Sequence, residues 1–512
     1  MFIRRKPNKS GSFSVQVLDK RNGRNVLLRS FGASKDEKEL KELERQAADY
    51  ISHYGGQHVL DFEIGLPPSP EEEAESFFSR IADIRHDAPL IILGKVYDNI
   101  GFNAVEDDIL RSLAIARVCE PKSKVATTEY LRRCFREDYQ LHQIYRYMDT
   151  LYDTRRELIQ RISVEHTRKL LGGKIGIVFY DVTTLYFETS REDVLRSPGF
   201  SKDGKTAESQ IVLGLLVSSD GYPLSYNIFN GSQYEGRTMI PIIDDFVQRF
   251  SLTDFIVVAD AGLLSRKNIA LLKQAGYKFI LGGRIKKETK PVQDWVLSLR
   301  KDTRALHETT INGDERIIVS YSEQRAAKDR HNRDKGIQRI RKAYASGKIS
   351  KRNINQRGYN KFLVIENDVM ISIDEDKIIA DAQWDGLKSY ITNTDLPADE
   401  VIGQYHSLWV VERAFRITKG TLEARPVFHF TERRIEAHIC ICFIAYKLYK
   451  ELERILRLLN IGLSVDKVLD IAKTISTVSV RLNDGRICSR TLLNTDEERM
   501  LQPLLSSNSR FG

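Results

Sequence analysis

Cysteine is scarce in this chain of 512 residues: Cys119, Cys134, Cys440, Cys442 and Cys488 are all there is. The number is odd and no two form a C-x-x-C pair. That speaks against a disulfide framework or a zinc site and fits a reducing compartment. Long apolar runs are missing as well. The longest, Ile439 to Ala445, falls far short of the ~20 residues a membrane helix needs, and Cys440 and Cys442 within it read as small core residues. The opening "MFIRRKPNKS" is basic with no apolar stretch behind it, so no secretory signal is expected. No internal repeat is visible. What is present, 41% hydrophobic and 29% charged residues, is the balance of a globular protein with room for two to four domains.

Charge is unevenly spread. The net charge is +9, and the segment from Arg325 to Lys361 holds 13 Lys/Arg against 2 Asp/Glu. One segment therefore carries the whole basic excess. It reads either as a solvated loop or as a strip for a polyanion backbone. In the second reading Arg339, Arg341 and Lys342 are candidate phosphate contacts.

Alternation over residues 13 to 31 around Asn22-Gly23 predicts a hairpin. Ser34 and Glu37 have capping-box spacing ahead of a charged helix to about His53. "LPPSPEEEAE", residues 66 to 75, reads as a linker. Residues 76 to 170 read as helical, without strands. Two short helices there leave Arg132, Arg133, Gln143 and Arg146 on their surfaces, a pattern shared by helix-turn-helix readers and plain bundles. From residue 174 the pattern becomes β-β-β-α-β-α-β, with strands in "KIGIVFYDVTTLYFE", "QIVLGLLVS", "YPLSYNIF", "DFIVVAD" and "YKFILGG". This is the element order of an RNase H-like core, an α/β fold with a mixed five-stranded sheet. Residues 288 to 400 mix short strands with the basic segment.

Asp181 lies in or at the end of the first core strand, and Asp260 ends the fourth. In an RNase H-like sheet these strands are neighbours. A third carboxylate stands in "YHSLWVVERAFRITK", residues 405 to 419. On one straight helix, Tyr405, Trp409, Glu412, Arg416 and Lys419 fall within roughly 40° of a line, with Val410, Val411, Ala414 and Ile417 opposite. Taken alone this is an amphipathic helix with a charged outer face. Set beside the two aspartates, Glu412 completes an oxygen-rich group suited to Mg²⁺ or Mn²⁺. Two such ions in one site serve phosphodiester chemistry. His429 and His438, nine residues apart, have a poor metal spacing and read as structural.

"YDVTTLYFET", "GFSKDGK", "DAGLLS" and "YHSLWVVERAFRITK" resemble the DDE transposases of bacterial insertion sequences. The resemblance is to the group whose third motif reads Tyr-x2-Arg-x3-Glu-x6-Lys and whose core carries a strand-rich insertion. Tyr405, Glu412 and Lys419 match that spacing, and Leu408 stands where the group has Arg. The likeness covers roughly residues 175 to 450. It implies that Asp181, Asp260 and Glu412 are catalytic and hold two Mg²⁺ or Mn²⁺ ions per active site. It implies that Tyr405, Arg416 and Lys419 contact DNA phosphates, and that Lys202 in "GFSKDGK" touches DNA or sits in a surface turn. Leu408→Arg is expected to be tolerated, its long side chain reaching outward.

The organisation expected is a hairpin-helix region (1–65), a helical DNA-binding or assembly domain (76–170) and the first part of the core (174–287). The basic insertion (288–400), the glutamate helix with its successor (401–450) and a helical, dimerising tail (451–512) follow. The function implied is cut-and-paste transposition. The protein would bind terminal inverted repeats, cleave double-stranded DNA by metal-dependent hydrolysis and join 3′ hydroxyls to target DNA. The resemblance further implies a homodimer on paired ends, a hairpin intermediate, and a bacterial, cytoplasmic, nucleoid-associated protein with no membrane partner. The rivals are a non-catalytic transposase-derived DNA-binding protein and a metal-dependent nuclease without strand transfer.

Overall fold

The computed structural model describes residues 1–21, 23–54, 69–200, 207–250, 252, 254–346, 358–366 and 370–506. The chain divides into two compact units, Met1–Arg80 and Ile81–Gly512. In the first, β1 (Phe2–Pro7), β2 (Phe13–Arg21) and β3 (Arg24–Ser34) form an antiparallel sheet in that order. Arg21 pairs with Arg24 across the predicted hairpin turn; Asn22 itself lies outside the described residues. The amphipathic α1 (Glu37–His53) buries Leu40 and Ala47 against Val15 and Val17 of β2. Its cap is Asp36, which accepts the Lys38 N–H at 2.8 Å, rather than Ser34. Ser34 is held in β3 by pairing with Phe13, so the helix starts after it. The acidic Pro-rich stretch ends in a helix too. In α2 (Pro70–Ser79), Ser69 accepts the Glu72 N–H at 3.2 Å and Glu72 accepts the Ser69 N–H at 2.8 Å, a reciprocal cap.

The second unit opens with a strand that the sequence pattern missed, β4 (Ile81–Arg85), and continues through α3 (Ala88–Ile100), α4 (Asp108–Cys119), α5 (Lys124–Tyr130), α6 (Leu141–Thr154) and α7 (Arg156–Leu170). The core strands follow: β5 (Ile177–Tyr186), β6 (Gln210–Ser218) and β7 (Pro223–Asn230), then α8 (Met239–Phe250), β8 (Ile256–Ala259), α9 (Arg266–Gln274) and β9 (Lys278–Gly282). β5, β6 and β7 form an antiparallel meander, while β8 runs parallel to β5 and β9 parallel to β8. Parallel neighbours need crossovers, and α9 supplies the one between β8 and β9.

The expected core sheet is present in the order β9-β8-β5-β6-β7, but it does not stop there. After α10 (Lys290–Ser298) come β10 (His307–Ile311), β11 (Glu315–Tyr321), α11 (Glu323–Ala345), β12 (Leu363–Glu366), β13 (Met370–Ile373), α12 (Glu375–Ala382) and β14 (Leu387–Thr392). β14 pairs with β9, β11 with β14 and β10 with β11, giving one sheet of eight strands. The open edge of β9 would otherwise leave its backbone groups unpaired. The first part of the basic segment is the 23-residue helix α11.

Helices α13 (Ala398–His406), α14 (Trp409–Arg416), α15 (Glu432–Leu458) and α16 (Val465–Ala472) follow, and two one-turn helices, Asp496–Arg499 and Gln502–Leu505, come near the C-terminus. The C-terminal region, expected to be helical, also holds β15 (Ser476–Arg481) and β16 (Ile487–Leu492), and β15 pairs with both β16 and β4. β4 and β15 lie almost four hundred residues apart, so neither strand had a partner visible in its neighbourhood. Side chains alternate across the large sheet. Phe179 and Leu185 of β5 share a core with Val411, Ala414 and Phe415 of α14 and with most of α15. Val178, Tyr180 and Val182 face the opposite way, toward Met239, Ile242 and Phe246 of α8. Among the described residues no helix is long and apolar enough to cross a membrane.

Candidate active site

The register of β5 and β8 decides where the two aspartates stand. Tyr180 pairs with Ala259 in parallel, so Asp181 and Asp260 are the next residues on neighbouring strands, about 4.8 Å apart in backbone spacing. Alternation puts Asp181 on the face of Phe179, and Asp260 on the face of Val258. Both of those residues belong to the core that contains α14. Each aspartate is half-buried. Asp181 accepts its neighbour's N–H, from Val182, at 2.8 Å. Asp260 accepts from Gly262 at 2.8 Å and Leu263 at 3.2 Å, which shapes the turn after β8.

The stretch 405 to 419 is not one straight helix. α13 ends at His406, and the chain makes a tight turn in which Leu408, Val410 and Val411 donate to residues three back. Ser407 Oγ also donates to the Gly403 carbonyl at 3.1 Å. After α14 the turn widens over Ile417–Thr421. The five side chains therefore do not share a single line. Glu412 and Arg416 are exposed on α14, whose buried side packs on β5 and β6. Lys419 is half-buried in the widened turn and Trp409 is 56% exposed. Leu408, by contrast, is only 7% exposed and joins the core. This corrects the expectation for Leu408→Arg: a guanidinium there would be pulled out of water, so the substitution should destabilise the protein.

Tyr405 sits on α13, beside the turn after β8. Burial pushes its phenol up to about 12, and the Asp260 charge adds to the rise. The fit depends on Gly282 at the end of β9. A Cβ there would lie 2.4 Å from Tyr405 Oη and 2.9 Å from the Ala261 nitrogen. Gly282→Ala should therefore cost about 1–3 kcal/mol through overpacking. Tyr405→Phe in the same chain should restore part of it by removing the hydroxyl. Urea unfolding of the single and double variants checks this; equal midpoints for Gly282→Ala and wild type would remove Gly282 from the site's support.

The insertion and the turn after β9 bring cations that the motif did not reveal. Lys388 of β14 lies 4.4 Å from the centre of the Tyr405 ring, and its ammonium is pulled down by burial and by Arg325 of α11. Arg284 donates to the Gly262 carbonyl at 2.9 Å, beside Asp260. These residues line a groove of about 610 Å³ with Lys287, Tyr359 and Trp384. Arg325 opens the basic segment, and Arg284 and Lys287 lie in the base-rich turn after β9; Lys388 is a lone lysine in β14, and spacing alone did not bring them together. Of the candidates on α11, Arg339, Arg341 and Lys342 are all exposed, and Arg341 is paired with Glu375 at 2.7 Å. Lys202 lies outside the described residues.

Among the described residues, no three His, Cys, Asp or Glu side chains stand close enough to hold a metal ion between them. The aspartate pair fits a divalent cation in donor chemistry and in placement. Glu412 stands on the helix that covers the same sheet face. Both aspartates turn an oxygen to a backbone N–H. His429 and His438 pack ring to ring, 5.2 Å between centres, and are both buried. Burial lowers the pKa of each, to about 3 for His429.

Among curated proteins none matches the sequence. Solved structures offer distant likenesses. The piggyBac transposase synaptic complex with hairpin DNA is 9% identical, covers 78% of this chain and 79% of its own, and has a TM-score of 0.40. The Mos1 transposase paired-end complex with the left transposon end is 13% identical, covers 47% and 66%, and has a TM-score of 0.16. The sequence profile of the transposase DDE domain matches residues 172–448. That is more than half of the chain and spans all three acids, and the chain belongs to this family of transposases.

Proposed function

We propose that the protein is a cut-and-paste DNA transposase. It binds the terminal inverted repeats of a bacterial insertion sequence, cleaves at the ends and joins the 3′ hydroxyls to target DNA. The observation that carries this reading is the parallel register that sets Asp181 beside Asp260 on the sheet face covered by the Glu412 helix. Two Mg²⁺ or Mn²⁺ ions held by Asp181, Asp260 and Glu412 would activate water or a hydroxyl and neutralise the leaving oxygen. The chain's own contribution is positioning. Tyr405, Arg416 and Lys419 hold the phosphates next to the scissile one. Lys388, Arg284 and Arg325 line the groove that receives the strand, and Arg132, Arg133, Gln143 and Arg146, all exposed, are available to the end sequence. Two copies of the chain act on paired ends.

The test uses the full chain with linear DNA carrying the sequences that flank its gene, in Mg²⁺. Cuts at the repeat ends followed by joining to a plasmid are expected. Specific binding without cutting would favour the DNA-binding derivative, and cutting of arbitrary duplex without joining would favour a nuclease.

Two substitutions probe the positioning residues. Neutralising Arg339, Arg341 and Lys342 together should weaken DNA binding and lower the log–log salt slope by about 0.9 per lost phosphate contact. An unchanged slope takes α11 off the DNA path. Lys419→Ala should slow single-turnover cleavage at saturating protein more than it weakens binding, with no rescue by excess Mg²⁺. Wild-type cleavage there returns Lys419 to an ordinary structural role.

A further inference from the structure

Away from the aspartates, two cationic residues are largely buried. Arg117 of α4 is 6% exposed and Lys124 of α5 is 5% exposed. Among the described residues neither makes a hydrogen bond, an ion pair or a ring contact. Both line a cavity of about 170 Å³ shared with Arg425, His429 and His438. Its lining carries one carboxylate, Glu423, which is exposed at the rim, against Arg117, Lys122, Lys124 and Arg425. Among the described residues His438 Nδ1 has no hydrogen-bond partner, while Nε2 lies 3.2 Å from the Ala424 carbonyl.

Desolvating like charges side by side is unfavourable unless something answers them. A lysine can escape by losing its proton, and burial with Arg117 beside it does pull Lys124 down to about 7. Arginine has no such escape. A purely structural pair would have a carboxylate or carbonyls turned to it.

We infer that this cavity is an anion site that takes a phosphate group, held by Arg117 and Lys124. The arginine fork suits tetrahedral oxyanions, and the approach of a lysine from another helix gives donors from two sides. The cavity wall is joined to the catalytic strand. Val427 donates to the Tyr186 carbonyl at 3.1 Å, at the far end of β5, roughly 16 Å along the strand from Asp181 at the usual rise. A phosphate of bound DNA or free inorganic phosphate presents the same chemistry. Only the DNA source rests on the function proposed above.

Thermal unfolding of the full chain, with inorganic phosphate replacing chloride at fixed ionic strength, tests the site without DNA. The wild-type melting temperature should rise with phosphate, as a ligand that binds only the folded state requires. In Lys124→Met that rise should vanish, while the phosphate-free melting temperature equals or exceeds that of wild type because an unanswered charge has gone. Lys124→Arg should keep the rise. A wild-type melting temperature indifferent to phosphate overturns the site, whatever the variants do, and so does a rise that survives in Lys124→Met. The source follows from end-DNA binding. A log–log salt slope reduced by about 0.9 in Lys124→Met assigns the cavity to a DNA phosphate, and an unchanged slope assigns it to free phosphate.

Discussion

Asp260→Asn protein should bind end DNA with nearly wild-type affinity and fail to cut it, with cleavage reduced roughly a thousandfold or more, ~4 kcal/mol of barrier. Asn keeps an oxygen that can accept the N–H groups of Gly262 and Leu263, which Asp260 now holds at 2.8 and 3.2 Å. The turn after β8 should survive, and only the charge is lost. Asp181→Ala and Glu412→Ala should behave alike, since binding rests on phosphate contacts elsewhere. Gel-shift and cleavage assays on the same folded preparation separate the two properties. Wild-type cutting by Asp260→Asn would sink the assignment of the acids, and joint loss of binding and cutting would point to a folding role instead.

The largest expected loss of stability lies in α15. Glu451 is completely buried. It accepts from Asn99 at 2.9 Å, Tyr222 at 2.7 Å and Arg454 at 2.7 and 3.0 Å, with His166 Nε2 at 3.6 Å. One carboxylate thus ties α3, α7 and the β6–β7 turn to α15. Glu451→Ala would leave those donors unanswered and should cost about 3–5 kcal/mol. Burial alone would raise the carboxyl pKa, but hydrogen bonds from His166 and Arg454 outweigh it and hold Glu451 at about 2. A folded pKa below the unfolded value of about 4.3 stabilises at higher pH. That contribution is full above about 4.3 and is lost as pH falls toward 2. Urea midpoints at pH 7 and through this window, for wild type and Glu451→Ala, test both statements. Equal midpoints at pH 7 would show the network to be energetically idle.

The placement of the candidate acids on their elements was readable because it rests on local pattern. An apolar run ending in a lone aspartate marks a strand tip, and the β-β-β-α-β-α-β order of an RNase H-like core makes the first and fourth strands neighbours. Hence Asp181, Asp260 and the order of the core elements could be named from the residues. Glu412 was singled out by the face opposite Val410, Val411, Ala414 and Ile417, which follow helical spacing, and by the resemblance of the motif around it. The straight helix from 405 to 419 could not be judged in that way. The tight turn at Ser407 and Leu408 exists because Leu408 finds a core to enter, and that core is built from residues hundreds of positions away. Nor could spacing place Lys388 against Tyr405, because they meet only once β14 has paired with β9.

By itself, then, the sequence determined which segments are strands and helices in the catalytic core and which three acids are candidates, since periodicity and turn chemistry act over a few residues. Tertiary structure alone decided that the insertion extends the core sheet to eight strands, that β4 pairs with β15, and that Arg117 and Lys124 line one cavity. Those outcomes depend on edge pairing and on burial between distant segments. Neither leaves a mark on the short stretch of chain where each residue is found.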